Sequence, residues 1–151
     1  ARRMLILASE DIGNANPTAM IMANACIQAV KVIGYPECRI ILSQVAVYLA
    51  TSPKSNASYM AINEAIALAE KTAHLPVPLA LRNAPTKLMK QLDHGKGYRY
   101  AHDEAGGFAA GENYLPEGMA SPGFYRPVER GLEIRIADKL RELKNLNNQK
   151  N

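Results

Sequence analysis

Asn16–Ala50, NPTAMIMANACIQAVKVIGYPECRIILSQVAVYLA, is the stretch whose reading decides the fold. Asn16 is a helix-capping residue type, and Pro17 stands where its fixed dihedral suits a first turn. Met22, Cys26, Ala29, Val30 and Ile33 then recur at spacings of three and four before Gly34. That punctuation predicts an amphipathic helix with a start, one apolar face and a stop. Pro36 opens a further helix in which Ile40, Ile41, Leu42, Val45, Ala46, Val47, Tyr48 and Leu49 leave little polar face. A helix apolar nearly all round is expected at the centre of a domain, covered on most sides.

Upstream, Met4, Leu5, Leu7, Ala8 and Ile12 predict a helix over about Arg2–Ile12 that stops at Gly13. Downstream, Thr51, Ser52, Pro53 and Ser55 form a turn that launches a helix to about Ala73. Its small residues Ala61, Ala65, Ala67 and Ala69 would let a neighbouring helix come close, either the preceding one or one from another subunit. The proline-rich connector His74–Ala80 cannot be regular helix. Asn83 followed by Pro85 reads as the start of a short helix ending near Leu92 and Gly95.

From Lys96 to Pro127 the chain is irregular, broken by Gly106, Gly107, Gly111, Gly118 and Gly123. Such a long loop belongs on the surface, tacked down by Tyr98, Tyr100, Phe108, Tyr114, Leu115, Phe124 and Tyr125. A final helix is expected from about Glu129 to Leu146, with Leu132, Ile136, Leu140 and Leu143 on one side and a frayed tail over Asn147–Asn151. The expected fold is all-α: a single domain over residues 1–151, a helical bundle of about five to six helices with a long irregular loop before the last.

Of the 151 residues 48% are apolar, enough for a core without disulfides or metal. Cys26 and Cys38 stand at apolar helical positions with no CxxC spacing, which suits reduced thiols in an intracellular compartment. No uncharged apolar run reaches the roughly 18 residues of a membrane span, and the start, ARRMLILASEDIG, does not read as a secretory signal. Ala1 in place of a methionine suggests a processed product or a piece of a longer protein. The net charge of +4 is unevenly spread. Arg82, Lys87, Lys90, Lys96 and Arg99 make residues 76–103 basic, residues 104–125 carry only Glu104, Glu112 and Glu117, and the chain from Arg126 is basic again. A phosphate-rich partner is compatible with this pattern, although the excess is far below that of a dedicated DNA-binding tail.

Most catalytic readings fail on spacing. Gly95-Lys96 resembles the end of a phosphate loop, but the required glycine five residues earlier is Lys90 and the required Ser or Thr is Gly97. The Gly95-x-Gly97 pair lacks a third glycine, Tyr100 standing in its place. His74, His94 and His102 are scattered, without a cysteine pair, so no zinc signature exists. There is no GxSxG, and Ser9 with Glu10 and Asp11 reads as the polar end of the first helix. The chain as it stands is not expected to be an enzyme.

The remaining candidates are contact residues. Arg82, Lys87, Lys90, Lys96 and Arg99 could meet phosphates, with Tyr98 or Tyr100 stacking on a base and His102 nearby. The alternative is that both tyrosines anchor the loop on the bundle while the lysines are solvated.

Several collinear blocks, ARRMLILASEDIG, YLATSPKSNASY, LPVPLALRNAPTKLMK, GKGYRYAHDEAGGFAAGENYLP and FYRPVERGLE, resemble the carboxy-terminal part of the replication-associated recombination protein A (RarA or MgsA) family. These are AAA+ ATPases of the clamp-loader clade, related to Werner helicase-interacting protein. One departure is Leu92-Asp93-His94, where the family pattern has a glycine and an aromatic. The resemblance implies an ATPase core with its ATP and magnesium sites upstream, and a helical, collar-like domain here that assembles a homotetramer. It further implies action at stalled or gapped replication forks, DNA-stimulated ATP hydrolysis, contact with single-stranded-DNA-binding protein, and a bacterial cytoplasmic, nucleoid-associated location.

Overall fold

A computed structural model describes residues 1–150. The chain is all-helical, with no strand among the described residues, and it divides into two compact units. Unit 1 contains Ala1–Leu68 and Gly123–Lys139; unit 2 contains residues 69–122 and those from Leu140 onward.

In unit 1, α1 (Arg2–Leu7) widens into a π turn over Ala8–Ile12, and the Gly13 N–H closes it on the Ala8 carbonyl. The stop at Gly13 has a steric cause: Ser55 N–H donates to the Asp11 carbonyl at 2.8 Å, and a Cβ on Gly13 would lie 3.0 Å from the Ser55 oxygen. Only glycine lets the two backbones approach at this positive φ of 52°. α2 (Thr18–Ile33), α3 (Cys38–Thr51) and α4 (Ala57–Thr72) follow. The core unites Ala8 and Ile12 with Ala19, Ala23 and Cys26 of α2 and Val45 and Leu49 of α3; Met4, Leu5, Met22, Val30, Ile41, Leu42 and Tyr48 pack around it. The alanines bring α2 close to its neighbours, and each large side chain buried in the seam is worth about 1.5–3 kcal/mol.

Three expectations change here. Asn16 does not cap α2 with its side chain, which instead donates to Tyr48 Oη at 3.0 Å and Ser52 Oγ at 3.1 Å of the following segment. The first turn of α2 is closed through the backbone, Ala19 N–H to the Asn16 carbonyl. Nor is α3 covered on most sides, since Cys38, Val45 and Leu49 form one buried stripe while Ile40 and Val47, half a turn away, face outward. In α4 the buried alanine is Ala57; Ala61 and Ala65 are half-buried, and Ala67 and Ala69 exposed.

The final helix, α6 (Glu133–Lys150), starts later than expected because Gly131, at φ 54°, presses on the Ala15 carbonyl. Leu132 N–H donates to that same oxygen at 2.9 Å, so the backbone before Glu133 is committed to a distant partner. The end also differs: helix continues to Lys150, and Asn147 Oδ1 accepts from Gly111 N–H at 2.9 Å in unit 2, so this segment is not frayed. Asn151 lies outside the described residues.

In unit 2 the connector is irregular apart from a 3-10 turn at Leu79–Leu81. The short α5 (Lys87–Gln91) is capped by Thr86, whose Oγ1 accepts from Met89 N–H at 3.2 Å, rather than by Asn83. Asp93 adopts a left-handed φ of 61°, a conformation that favours glycine. The long loop carries 3-10 turns at Ala101–Asp103 and Ala105–Gly107 and buries Ala109 and Ala110.

Candidate interaction surfaces

Unit 1 is fastened by a polar clasp. Glu133 is fully buried with no ion-pair partner among the described residues; Oε1 accepts from Tyr125 Oη at 2.7 Å, and Oε2 accepts from Ser55 Oγ at 2.8 Å and Val128 N–H at 2.7 Å. Three donors on one carboxylate supply in hydrogen bonds what burial removes in hydration. Asn14 Nδ2 donates to the same Tyr125 hydroxyl at 3.1 Å and to Ser58 Oγ at 3.3 Å. Burial pushes the Tyr125 hydroxyl above its ordinary value, with the adjacent Glu133 carboxylate adding to the rise and the Asn14 hydrogen bond opposing it. Further out, Arg126 forms a two-pronged pair with Glu64 at 2.8 and 2.9 Å, which lowers the Glu64 carboxyl, and Arg130 donates to the Lys54 carbonyl at 2.9 Å. Sequence reasoning missed this clasp. Its one local signal is that Glu133 falls on the stripe of Ile136, Ala137 and Leu140, a charge on an apolar face.

The outside of unit 1 is unusually apolar. On α2, Ile21 and Val32 point away from the Ala19–Ala23–Cys26 stripe, and on α3 Ile40 and Val47 do the same. The α2–α3 turn forms an apolar tip, with Val32 86% and Tyr35 85% exposed beside half-exposed Ile33. A second apolar surface is a shallow groove of about 520 Å³ between α1 and α4, lined by Leu5, Ile6, Tyr59 and Ile62 with Ser9, Glu10 and Ser58 on its margin. Isolated exposed hydrophobics are ordinary, whereas clusters of this kind mark contact surfaces.

In unit 2 the expected contact residues separate into two sets. Arg99 is held internally: it donates to Glu104 at 2.8 Å, Glu112 at 3.0 Å and the Ala110 carbonyl at 2.9 Å. This raises the guanidinium further above its ordinary value and lowers the Glu104 carboxyl. Lys150 stands 4.0 Å from Glu104. Arg82 Nε donates to the Val77 carbonyl at 2.7 Å, and Lys96 pairs with Asp93 at 3.1 Å on the surface. Lys87 and Lys90 are exposed on α5, with no ion-pair partner among the described residues. Tyr98 and Tyr100 are 57% and 53% exposed, so they do not anchor the loop as expected; Tyr100 lies against exposed His102, ring centroids 4.9 Å apart. The loop is held instead by Arg99 and the buried Ala109–Ala110.

Lys96, the one lysine in a glycine setting, is engaged with Asp93, and no group of three His, Cys, Asp or Glu side chains able to hold a metal occurs among the described residues. No helix among them is long and apolar enough to cross a membrane.

Comparison with known proteins shows the family. The profile of the MgsA AAA+ ATPase C-terminal family matches residues 1–144. The chain is 51% identical over 149 residues to replication-associated recombination protein A of Coxiella burnetii, covering 99% of this chain and 34% of that protein. Identity to the protein of the same name from Escherichia coli K12 is 50% over 140 residues, 93% of this chain and 31% of the relative. ATPase WRNIP1 of Dictyostelium discoideum is 42% identical over 124 residues, 82% of this chain and 14% of that protein. The chain therefore spans about a third of the length of these bacterial relatives. With the match running through both units, the chain belongs to the MgsA AAA+ ATPase C-terminal family, the C-terminal domain of the replication-associated recombination proteins.

Proposed function

We propose that this chain is the oligomerisation collar of a DNA-dependent AAA+ ATPase that acts in replication, recombination and repair at stalled forks. The observation that carries the reading is the uncovered apolar surface of α2 and α3, above all Val32, Tyr35, Ile40 and Val47. A helix hairpin with apolar residues on both sides has one side in its own core and offers the other to a partner. A homotetramer is the assembly in this reading. ATP and magnesium belong to the region of the parent protein outside this chain, and the location is the bacterial cytoplasm, in association with the nucleoid. Replacing Val32 and Ile40 together by aspartate places two charges in the apolar surface and is expected to weaken self-association at least tenfold, about 1.4 kcal/mol or more. An unchanged association constant in sedimentation equilibrium overturns this choice of surface.

A second reading has one specific observation in its favour, the joint exposure of Tyr98 and Tyr100. With Lys87, Lys90, Lys96 and His102 in the same unit, unit 2 then contacts single-stranded DNA by stacking and phosphate pairing, or docks the single-stranded-DNA-binding protein. Arg99 supports the loop from within, and Arg82 is engaged with the Val77 carbonyl of the connector. Binding of the chain to single-stranded DNA is expected to fall steeply between low and physiological salt; no binding at low salt removes the DNA contact from this chain.

A further inference from the structure

We propose that α1 and the π turn after it form a register switch, in which α1 turns about its own axis and takes the extra residue of the π turn into regular α-helix. The π turn widens the helix by one residue, so that the Gly13 N–H reaches back to the Ala8 carbonyl. Turns of this kind act as one-residue insertions in an α-helix, and they gather at functional positions. The downstream end is pinned. Ile12 has no exposed surface, Gly13 lies against Ser55, and the Asp11 carbonyl accepts from Ser55 N–H at 2.8 Å. The upstream end is not pinned in this way: among the described residues no hydrogen bond or ion pair ties residues 1–8 to α2, α3 or α4. Apolar packing of Ala1, Met4, Leu5 and Ala8 on the core is what holds α1.

The sequence of α1 suits a second register. Absorbing one residue turns the helix by about 100° and moves it about 1.5 Å along its axis, so each core-facing residue is replaced by the next in the chain. Ala1, Met4, Leu5 and Ala8 give way to Arg2, Leu5, Ile6 and Ser9. Leucine for methionine and isoleucine for leucine conserve volume. Ser9 is nearly as small as Ala8, and its hydroxyl donates to the Leu5 carbonyl at 3.2 Å within the same helix, so it keeps its partner when the helix turns. Arg2, in the first turn, has a stem long enough to bring its guanidinium out to water. The unbroken run Met4-Leu5-Ile6-Leu7 is what permits the exchange, because a helix with one apolar stripe would turn that stripe away from the core. Two packings of similar content on one core make a two-state element. Its output is the α1 wall of the α1–α4 groove: Leu5, Ile6 and Ser9 line it now, and the second register sets Ile6, Leu7 and Glu10 in their places.

Methyl relaxation dispersion on the 151-residue chain, labelled at its methionine and isoleucine methyl groups, tests the switch. Exchange is expected at Met4 and Ile6. It should vanish in a chain lacking Ser9, where the extra residue is gone and the present face is fixed. It should vanish also in Ile6→Asp, which charges a partly exposed position in the present register and would bury that charge in the second. Should the shortened chain fail to fold, Ile6→Asp alone decides. Met4→Asp acts in the opposite sense, since its charge meets the core only in the present register. The second register should then be the main one, with Overhauser contacts from the Ile6 methyl groups to those of the core. Flat dispersion at Met4 and Ile6 in the unaltered chain overturns the proposal, as does exchange that persists in Ile6→Asp, or a Met4→Asp chain in which Ile6 makes no core contact.

Discussion

Glu133 and Arg99 each sit at the centre of a three-partner polar cluster, but they hold their units in different ways. Glu133 is an anion sealed from water and served by three neutral donors drawn from Ser55, Tyr125 and Val128. Arg99 is a partly exposed cation that gathers two carboxylates and a carbonyl from the thirteen residues after it. The first ties together segments far apart in sequence, so its loss should be felt through all of unit 1. The second folds one loop on itself, so its loss should stay local.

The largest effect that can break this comparison is Glu133→Ala, which leaves one buried and two part-buried donors without their acceptor and should cost about 3–5 kcal/mol in denaturant unfolding. A loss below about 1 kcal/mol would deny the clasp its role. Next comes Gly131→Ala, expected to cost about 2–4 kcal/mol, because the added Cβ collides with the Ala15 carbonyl at a φ that disfavours side chains. Wild-type stability in this variant would show that the backbone contact yields freely. Arg99→Ala should leave global unfolding nearly unchanged while amide exchange accelerates across residues 99–112; protection lost in unit 1 instead would erase the distinction.

The two clusters also predict opposite responses to pH. Arg99 holds Glu104 below its ordinary 4.5, so that contribution is fully present above about 4.5 and is lost as pH falls through the lowered value. Tyr125 is held above its ordinary 10.0 by burial and by Glu133, so its contribution is present below about 10 and is lost as pH rises through the raised value. Acid should therefore loosen the loop of unit 2 and strong alkali the clasp of unit 1, as amide exchange in acid and tyrosinate absorbance in alkali can show. The smallest effect is expected at Asp93→Gly, a stabilisation of at most about 1 kcal/mol from relief of the left-handed backbone.

What could be read in the sequence was local. Gly13, Pro17 and Gly34 punctuate the chain, so the extent of the first helical stretch, though not its π turn, and that of α2 were legible almost to the residue. The Arg2–Gly13 stop held even though its steric cause, Ser55, lies far along the chain. Reading failed where a local signal was claimed by a distant group. Asn16 looked like a cap but serves Tyr48 and Ser52, and the start of α6 is delayed by Ala15. Tyr98 and Tyr100 looked like anchors because a loop needs some, but Arg99 with Glu104 and Glu112 does the anchoring, a pairing that composition does not mark. The apolar character of α3 was legible; that half of it would be uncovered was not, because periodicity tells that a face avoids water and not which surface covers it. Of the candidate contact residues, the sequence identified the types, and only the fold separates Arg99, held inside its loop, from exposed Lys87, Lys90, Tyr98 and Tyr100.

The central claim, that the uncovered apolar faces of unit 1 are assembly surfaces, is tested most directly by the mass of the unaltered chain in solution. Light scattering at tens of micromolar is predicted to return a multiple of the 16.5 kDa subunit. A mass of one subunit at that concentration would contradict it.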